Sequence, residues 1–155
     1  KGFLPLHVGA VIRNEGLYLF GGPSGAGKST ISALSAGQGG WVLDEDQVLL
    51  KPQNPLGVTA QAWGYSLQAS EVPLRAVFKL VKAEEDQAIR LTKTQTARFL
   101  FERSTEVIGD MHKTQFGRKT FQLASVVARD IPGYELHFRK SPDFWKLIDA
   151  EFGLD

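Results

Sequence analysis

Two apolar runs open the chain, Gly9 to Arg13 and Leu17 to Phe20, and they flank Asn14-Glu15-Gly16, a turn-type tripeptide; the pattern predicts a hairpin. In Thr30 to Ala36, Ile31 and Leu34 fall on one helical face. Trp41-Val42-Leu43 reads as a strand set off by Gly37, Gly39 and Gly40, and it ends in Asp44-Glu45-Asp46. From Lys51 to Val72 the periodicity is lost among Pro52, Asn54, Pro55, Gly57 and Gly64, which predicts a mobile loop containing Trp63. Leu74 to Val81 reads as a strand with Ala76, Phe78 and Leu80 on one face. Gln95 to Ile108 and Gln122 to Arg129 read as helices, with apolar spacings of three and four. Tyr134, Leu136 and Phe138 alternate with Glu135, His137 and Arg139 as in a half-buried strand, and Ser141-Pro142 supplies an N-cap and first-turn proline for a last helix carrying Phe144, Leu147, Ile148 and Phe152.

Composition narrows the class without naming a function. A chain of 155 residues with 43% hydrophobic and 23% charged residues has the size and make-up of a single soluble domain, read here as one unit over 1–155. A net charge of +1 gives no electrostatic reason to expect nucleic acid or an anionic membrane as partner. The absence of cysteine excludes disulfides, Cys-ligated zinc and thiol catalysis, and fits a reducing compartment. No apolar run approaches the roughly 20 residues of a membrane span and no signal peptide is visible, so the expected location is the cytoplasm. The chain opens on Lys1 rather than Met, as a processed protein or a piece of a longer one does.

Candidate chemistry enters with Gly22-Pro23-Ser24-Gly25-Ala26-Gly27-Lys28-Ser29-Thr30, which satisfies the phosphate-binding loop pattern in full. That pattern turns successive backbone N–H groups inward, lets the lysine reach the β/γ phosphates and gives Mg²⁺ a hydroxyl. Gly22, Gly27, Lys28 and Ser29 fill its four defining places; Ser24, Gly25, Ala26 and Thr30 complete the candidate nucleotide-binding set. The flanking strand and helix patterns are the required context, and a helix N-terminus favours a polyphosphate. The alternative, a glycine-rich turn that happens to contain Lys-Ser, does not explain both flanks.

Asp44-Glu45-Asp46 is the natural partner of such a loop. Phosphoryl transfer needs a carboxylate to hold Mg²⁺, and transfer to a hydroxyl is helped by a second that orients or deprotonates the acceptor. Acidic residues at the carboxyl end of a neighbouring strand lie where open α/β sheets bind ligands. The bland reading is a solvated strand end, and the loop upstream weighs against it.

These blocks carry a family resemblance. The loop, the Glu45-Asp46 pair 17 and 18 residues beyond Lys28, and His7 21 residues before it in Leu6-His7-Val8-Gly9, resemble the catalytic domain of HPr kinase/phosphorylase. Pro73 to Leu80 and Tyr134 to Phe138 also resemble the related precursor-peptide kinases of lasso-peptide gene clusters. The resemblance implies an α/β phosphate-loop domain of the HPr-kinase-like type, with a mixed central sheet flanked by helices. It implies ATP and Mg²⁺ as cofactors and a serine of a small protein or peptide as acceptor. Lys28 and the amides from Ser24 to Ser29 would bind phosphate, Ser29 and Asp46 would serve the metal, and Glu45 would orient or deprotonate the hydroxyl, with His7 beside it. An arginine reaching the transferring phosphate fits the chemistry, and the likeness makes Arg75 the first choice. Founding members of the family form hexamers, so a homo-oligomer is within its range. Glu45 stands where the founding family has Asp, and no Glu-Ile-Arg-Gly type segment is present; both departures bear against phosphorylase activity and against HPr as the substrate. A lone histidine is more often structural than catalytic, and only His7, unlike His112 and His137, has an offset that singles it out.

Other loop-bearing classes fit less well. A transporter ATPase needs a Leu-Ser-Gly-Gly-Gln stretch and a late strand ending in Asp-Glu, and a GTPase needs Asn-Lys-x-Asp; none is present. Nucleotide kinases carry arginine-rich lids, whereas Glu84 to Arg90 and Gln115 to Lys119 read as mixed-charge surface. A non-catalytic nucleotide-binding module that keeps the loop remains the alternative from a different class, favoured by glutamate at position 45. A small-molecule kinase is a further alternative.

Overall fold

The computed structural model describes residues 2–44, 47–52, 58–62, 73–109 and 115–153. A short strand β1 (Leu4–His7) precedes the predicted hairpin of β2 (Gly9–Arg13) and β3 (Gly16–Gly21). Asn14 and Glu15 alone form the turn, with φ of 51° and 61°, and Arg13 pairs with Gly16. Two left-handed residues match the right-handed twist of the flanking strands. Gly16 therefore belongs to the strand, and its lack of a side chain makes room for Arg75: a Cβ there would lie 2.5 Å from Arg75 Cγ.

The chain continues through α1 (Lys28–Ala36), β4 (Trp41–Asp44), β5 (Gln47–Pro52), β6 (Val58–Ala62), β7 (Leu74–Lys82) and β8 (Gln87–Arg90). It ends with α2 (Lys93–Ile108), α3 (Gln115–Asp130), β9 (Gly133–Phe138) and α4 (Phe144–Phe152). Within the stretch expected to be a mobile loop, β5 runs on through Pro52 and β6 pairs antiparallel with it, so at least these residues are sheet; 53–57 and 63–72, with Trp63, lie outside the described residues. The stretch from Glu84 to Arg90, expected as plain surface, contains edge strand β8, tied down by Asp86, which accepts from the Arg139 backbone N–H at 2.8 Å and from its guanidinium. Helix α2 begins two residues before its predicted start because Thr92 and Gln95 form a reciprocal capping box, with bonds of 3.1 and 2.9 Å. The last helix starts later than Ser141-Pro142 predicts: Asp143 is its N-cap and makes no side-chain cap bond, while Ser141 Oγ accepts from the Asp143 N–H at 3.2 Å and the Pro142 and Asp143 carbonyls accept from residues three further on, a tight turn that leads into the helix.

Six strands form a mixed sheet in the order β4-β2-β3-β7-β9-β8, and β1, β5 and β6 form a separate antiparallel sheet. The mixed sheet with its flanking helices agrees with the expected class; the second sheet is an addition to it. Strands β3, β7 and β9 are parallel. Because β2 is antiparallel to both β3 and β4, β4 runs in the same direction as β3. The carboxyl ends of four strands thus share one edge.

The sheet separates two cores. Tyr18, Phe20, Phe78, Tyr134 and Phe138 face α1 and α4, where Ile31, Phe144, Trp145 and Ile148 meet them. Leu17, Leu19, Leu74 and Val77 face α2, α3 and the small sheet, meeting Leu6, Val48, Phe99, Leu100 and Val127. Between Leu74 and Ala76 the register of β7 on β3 shifts at a bulge, which puts Leu74 and Val77 on one face and Ala76, Phe78 and Leu80 on the other. Phe20, Phe78 and Tyr134 are cross-strand partners whose rings stack at 5.0 and 5.4 Å. Trp145 meets Phe20 edge-on at 5.8 Å and donates its indole N–H to Ser35 Oγ at 2.9 Å, joining α4 to α1. Arg13 covers the outer side of Trp145 at 4.6 Å and pairs with Asp149.

Tyr18 lies in this aromatic core with no hydrogen-bond partner for its hydroxyl among the described residues. Burial pushes its pKa above the ordinary 10.0, partly opposed by the Arg75 guanidinium. Burial also raises Tyr134. A raised tyrosine keeps its stabilising contribution below the unfolded value and loses it as pH climbs through the folded one. Urea titrations should therefore show stability falling above pH 10.0, and Tyr18→Phe should fall less steeply. At pH 7 the variant should lie within about 1 kcal/mol of wild type, since it removes an unpaired hydroxyl.

Candidate active site

Strand β3 runs directly into Gly22–Gly27 and α1 follows, the strand–loop–helix context that the glycine pattern requires. Within the loop Ala26 N–H donates to the Pro23 carbonyl at 3.0 Å, and Gly25 and Gly27 take φ of 82° and 114°. These values suit glycine. Space is as tight as conformation: a Cβ on Gly22 would lie 2.7 Å from Ala26 Cβ, and one on Gly27 would lie 2.6 Å from Phe138 Cζ. The loop is thus pressed onto the carboxyl end of β9.

The first intrahelical bond to reach back runs from Ile31 N–H to the Gly27 carbonyl at 2.9 Å. The N–H groups of Lys28, Ser29 and Thr30 precede it and have no acceptor within the helix. Lys28 is half-buried and curls back over the loop, its Nζ donating to the Gly22 carbonyl at 3.3 Å. Ser24, Gly25 and Ser29 are exposed, and Thr30 is half-buried. The amides at the start of α1, the Lys28 ammonium and the Ser29 hydroxyl belong to one loop-to-helix turn, a set of donor types suited to an anion with several oxygens.

The acidic cluster begins at the same edge. Asp44 ends β4, which is parallel to β3 and separated from it by β2 alone, so at ordinary strand spacing it lies about 10 Å across. Glu45 and Asp46 lie outside the described residues. The backbone on either side of them is paired: Asp44 with Ala10, and Gln47 with His7. His7 is thus the cross-strand partner of the residue that follows Asp46.

His7 is half-buried at the end of β1, and its Nδ1 lies 3.2 Å from Glu106 Oε1 on α2. The same oxygen is 3.3 Å from Arg103 Nη1. Arg103 is 9% exposed, lies 5.6 Å over the Phe99 ring, and would have its Cδ 3.2 Å from a Cβ on Gly21, the last residue before the loop. Arg75, the arginine favoured by sequence, lies elsewhere: it packs on Gly16, at the start of β3, five residues or roughly 16 Å from the loop end. A parallel β7 puts its first residues at the amino end of β3, and this overturns the Arg75 expectation. Arg103 and Glu106 were the residues missed. Their signal was an arginine standing in the buried stripe Thr96, Ala97, Leu100 and Ser104 of an otherwise ordinary amphipathic helix.

His137 accepts or donates a 2.7 Å bond with Glu135 and takes no part in this cluster. Lys79 stands exposed on β7 between Gly21 and Glu135. Among the described residues no three His, Cys, Asp or Glu side chains converge as a metal site, and no helix is long and apolar enough to cross a membrane. No family model and no curated protein matches the chain.

Gly27→Ala should destabilise the fold by about 1–3 kcal/mol through its backbone conformation alone. The clash with Phe138 adds to that cost, so Phe138→Leu should restore part of the loss and not all of it. Denaturant midpoints of the two single variants and the double variant give the comparison.

Proposed function

We propose that this chain is a phosphate-loop domain of the HPr-kinase-like type that transfers the γ-phosphoryl group of ATP, with Mg²⁺, to a hydroxyl, that of a serine in a small protein or peptide. One observation supports the reading: the complete glycine–lysine–serine loop leaves the sheet at the carboxyl end of β3, the edge at which β4 ends in Asp44, with His7 paired to the residue after Asp46. The donor set fits a polyphosphate. Lys28 and the amides from Ser24 to Ser29 would hold it, and Ser29 with Asp46 would hold the metal, which neutralises charge on the transferring group. Glu45, assisted by His7, would orient or deprotonate the acceptor. Catalysis then consists of positioning and charge stabilisation, because a loose transition state asks little covalent chemistry of the protein. The glutamate at position 45 favours one competing reading, a nucleotide-binding module without transfer.

Mg-ATP should raise the melting temperature of the wild-type protein, by an amount equivalent to about 2.7 kcal/mol at one hundred times its Kd, and Lys28→Ala should remove most of that shift. A wild-type melting curve indifferent to saturating Mg-ATP would overturn the reading at its base. Asp46→Asn should weaken the Mg²⁺ dependence of nucleotide binding. Glu45→Gln should bind nucleotide normally and lower transfer to a serine acceptor by about 10² to 10⁴, the usual worth of a general base. Nucleotide binding with no transfer to any serine peptide would select the binding module.

A further inference from the structure

Helices α2 and α3 pack antiparallel along one row of facing residues. Phe101 meets Phe121 edge-on at 5.6 Å, while Lys93 and Ala97 on one helix and Ser125 and Arg129 on the other line a groove of about 450 Å³, so residue numbers fall on α3 as they rise on α2. At the level of Ala97 and Ser125 both helices carry small side chains, and the space between their ridges is left unfilled. Phe121 and Val126 border that space and are 41% and 37% exposed, two large apolar side chains left in water on one helix face. Lys93 and Arg129 stand at the end of the row away from Phe121, and the fold does not neutralise them. Lys93 makes no ion pair among the described residues, and Arg129 reaches only Asp130, its neighbour in sequence, at 3.8 Å in solvent. The imbalance extends beyond the groove: the exposed charges of the two helices are the cations Lys93, Arg98, Arg118, Lys119 and Arg129 against three carboxylates, of which Glu106 is engaged by Arg103, whereas the whole chain carries only +1.

We infer that the α2–α3 groove is a docking site for an acidic segment of the acceptor polypeptide: an aromatic or branched aliphatic side chain of that segment enters beside Phe121, Val126 and Ala97, and carboxylates next to it pair with Lys93 and Arg129. An apolar anchor in a pocket supplies affinity, and charge at the rim selects the partner. Charge complementarity also selects this occupant over a second copy of the chain, since a two-fold contact through the groove would set cations against cations. Thr96 packs against Gly133 at the start of β9, so the groove lies toward the amino ends of the parallel strands, away from the glycine loop. From Ala97 to Glu106, which contacts His7, α2 runs for about 14 Å, and an extended chain covers that span in about four or five residues. A segment held in the groove therefore leaves the nucleotide loop free and tethers a serine within reach of the site, which raises its effective concentration there. That the segment belongs to the acceptor rests on the kinase reading; the affinity of the groove for an acidic, apolar-anchored peptide does not.

The test uses the whole chain, immobilised and panned against a displayed library of random short peptides. Enriched sequences should combine carboxylates with an aromatic or aliphatic anchor, and the strongest of them, synthesised with a fluorophore, should bind the chain in solution by anisotropy. Reversing both rim charges, Lys93→Glu with Arg129→Glu, should weaken that peptide by about 10-fold or more. Ser125→Phe, which fills the groove and keeps both cations, should weaken it as much, and Lys146→Glu on α4, at the opposite face of the sheet, should bind as wild type. Melting curves establish that each variant folds, and the exposed positions of Lys93 and Arg129 keep the double variant decisive if Ser125→Phe does not. A serine peptide extended by the selected segment should show a KM about 10-fold below that of the serine peptide alone, at unchanged kcat, and the double variant should lose the gain. Enrichment of no acidic peptide by wild type, or equal affinity in the folded variants, overturns the inference. A wild-type dimer in sedimentation that the charge reversals dissociate gives the groove to a second copy and overturns it as well. Peptide binding with no gain in KM overturns the assignment to the acceptor. Failure of wild type to bind Mg-ATP overturns the kinase reading instead, and the peptide affinities then decide the docking site alone.

Discussion

The stack of Phe20, Phe78 and Tyr134 holds the three parallel strands at one level, and the placement of the site follows from it. Each ring is the cross-strand partner of the next, so sliding β7 or β9 by one residue would break the stack and carry its ring to the opposite face of the sheet. Stacked pairs contribute about 0.5–1.5 kcal/mol each beyond the area they bury. The larger effect is geometric. With the rings level, the ends of β3 and β9 are level too, and Phe138 arrives beneath Gly27 at van der Waals distance. The conformation of the loop is thereby a property of the sheet, and the nine residues of the motif do not fix it alone.

Much of this was legible in the sequence because the strong signals are local. The loop, the β2–β3 hairpin, the alternation of β7 and β9, and the apolar spacing of the last helix each state their own structure within a few residues. What escaped detection depends on partners distant in the chain. Strand β1 carries a proline, and it is tolerated because β1 is the edge of its sheet. Strand β8 reads as charged surface until Asp86 finds Arg139. Trp145 has no special place in the periodicity of α4, yet it becomes the joint between α4, α1 and the hairpin.

The candidate site divides in the same manner. The half built on the glycine-rich loop is a motif, so residue types and spacing identify it. The half that contains His7 is assembled from β1 and α2, residues 99 positions apart, and no spacing rule announces Glu106. Arg75 misled for the converse reason. A resemblance in sequence selects an arginine by its neighbours along the chain, whereas reach depends on which end of the strand it occupies.

The central sheet has one more consequence. The loop and α1 are packed in the aromatic core, while His7, Arg103 and Glu106 hang on the aliphatic core of the opposite face. The two cores share backbone but few side chains, so repacking one leaves the rotamers of the other largely undisturbed. Substitutions in the α2–α3 layer could therefore alter the surroundings of His7 while the packing beneath the glycine loop stays as it is.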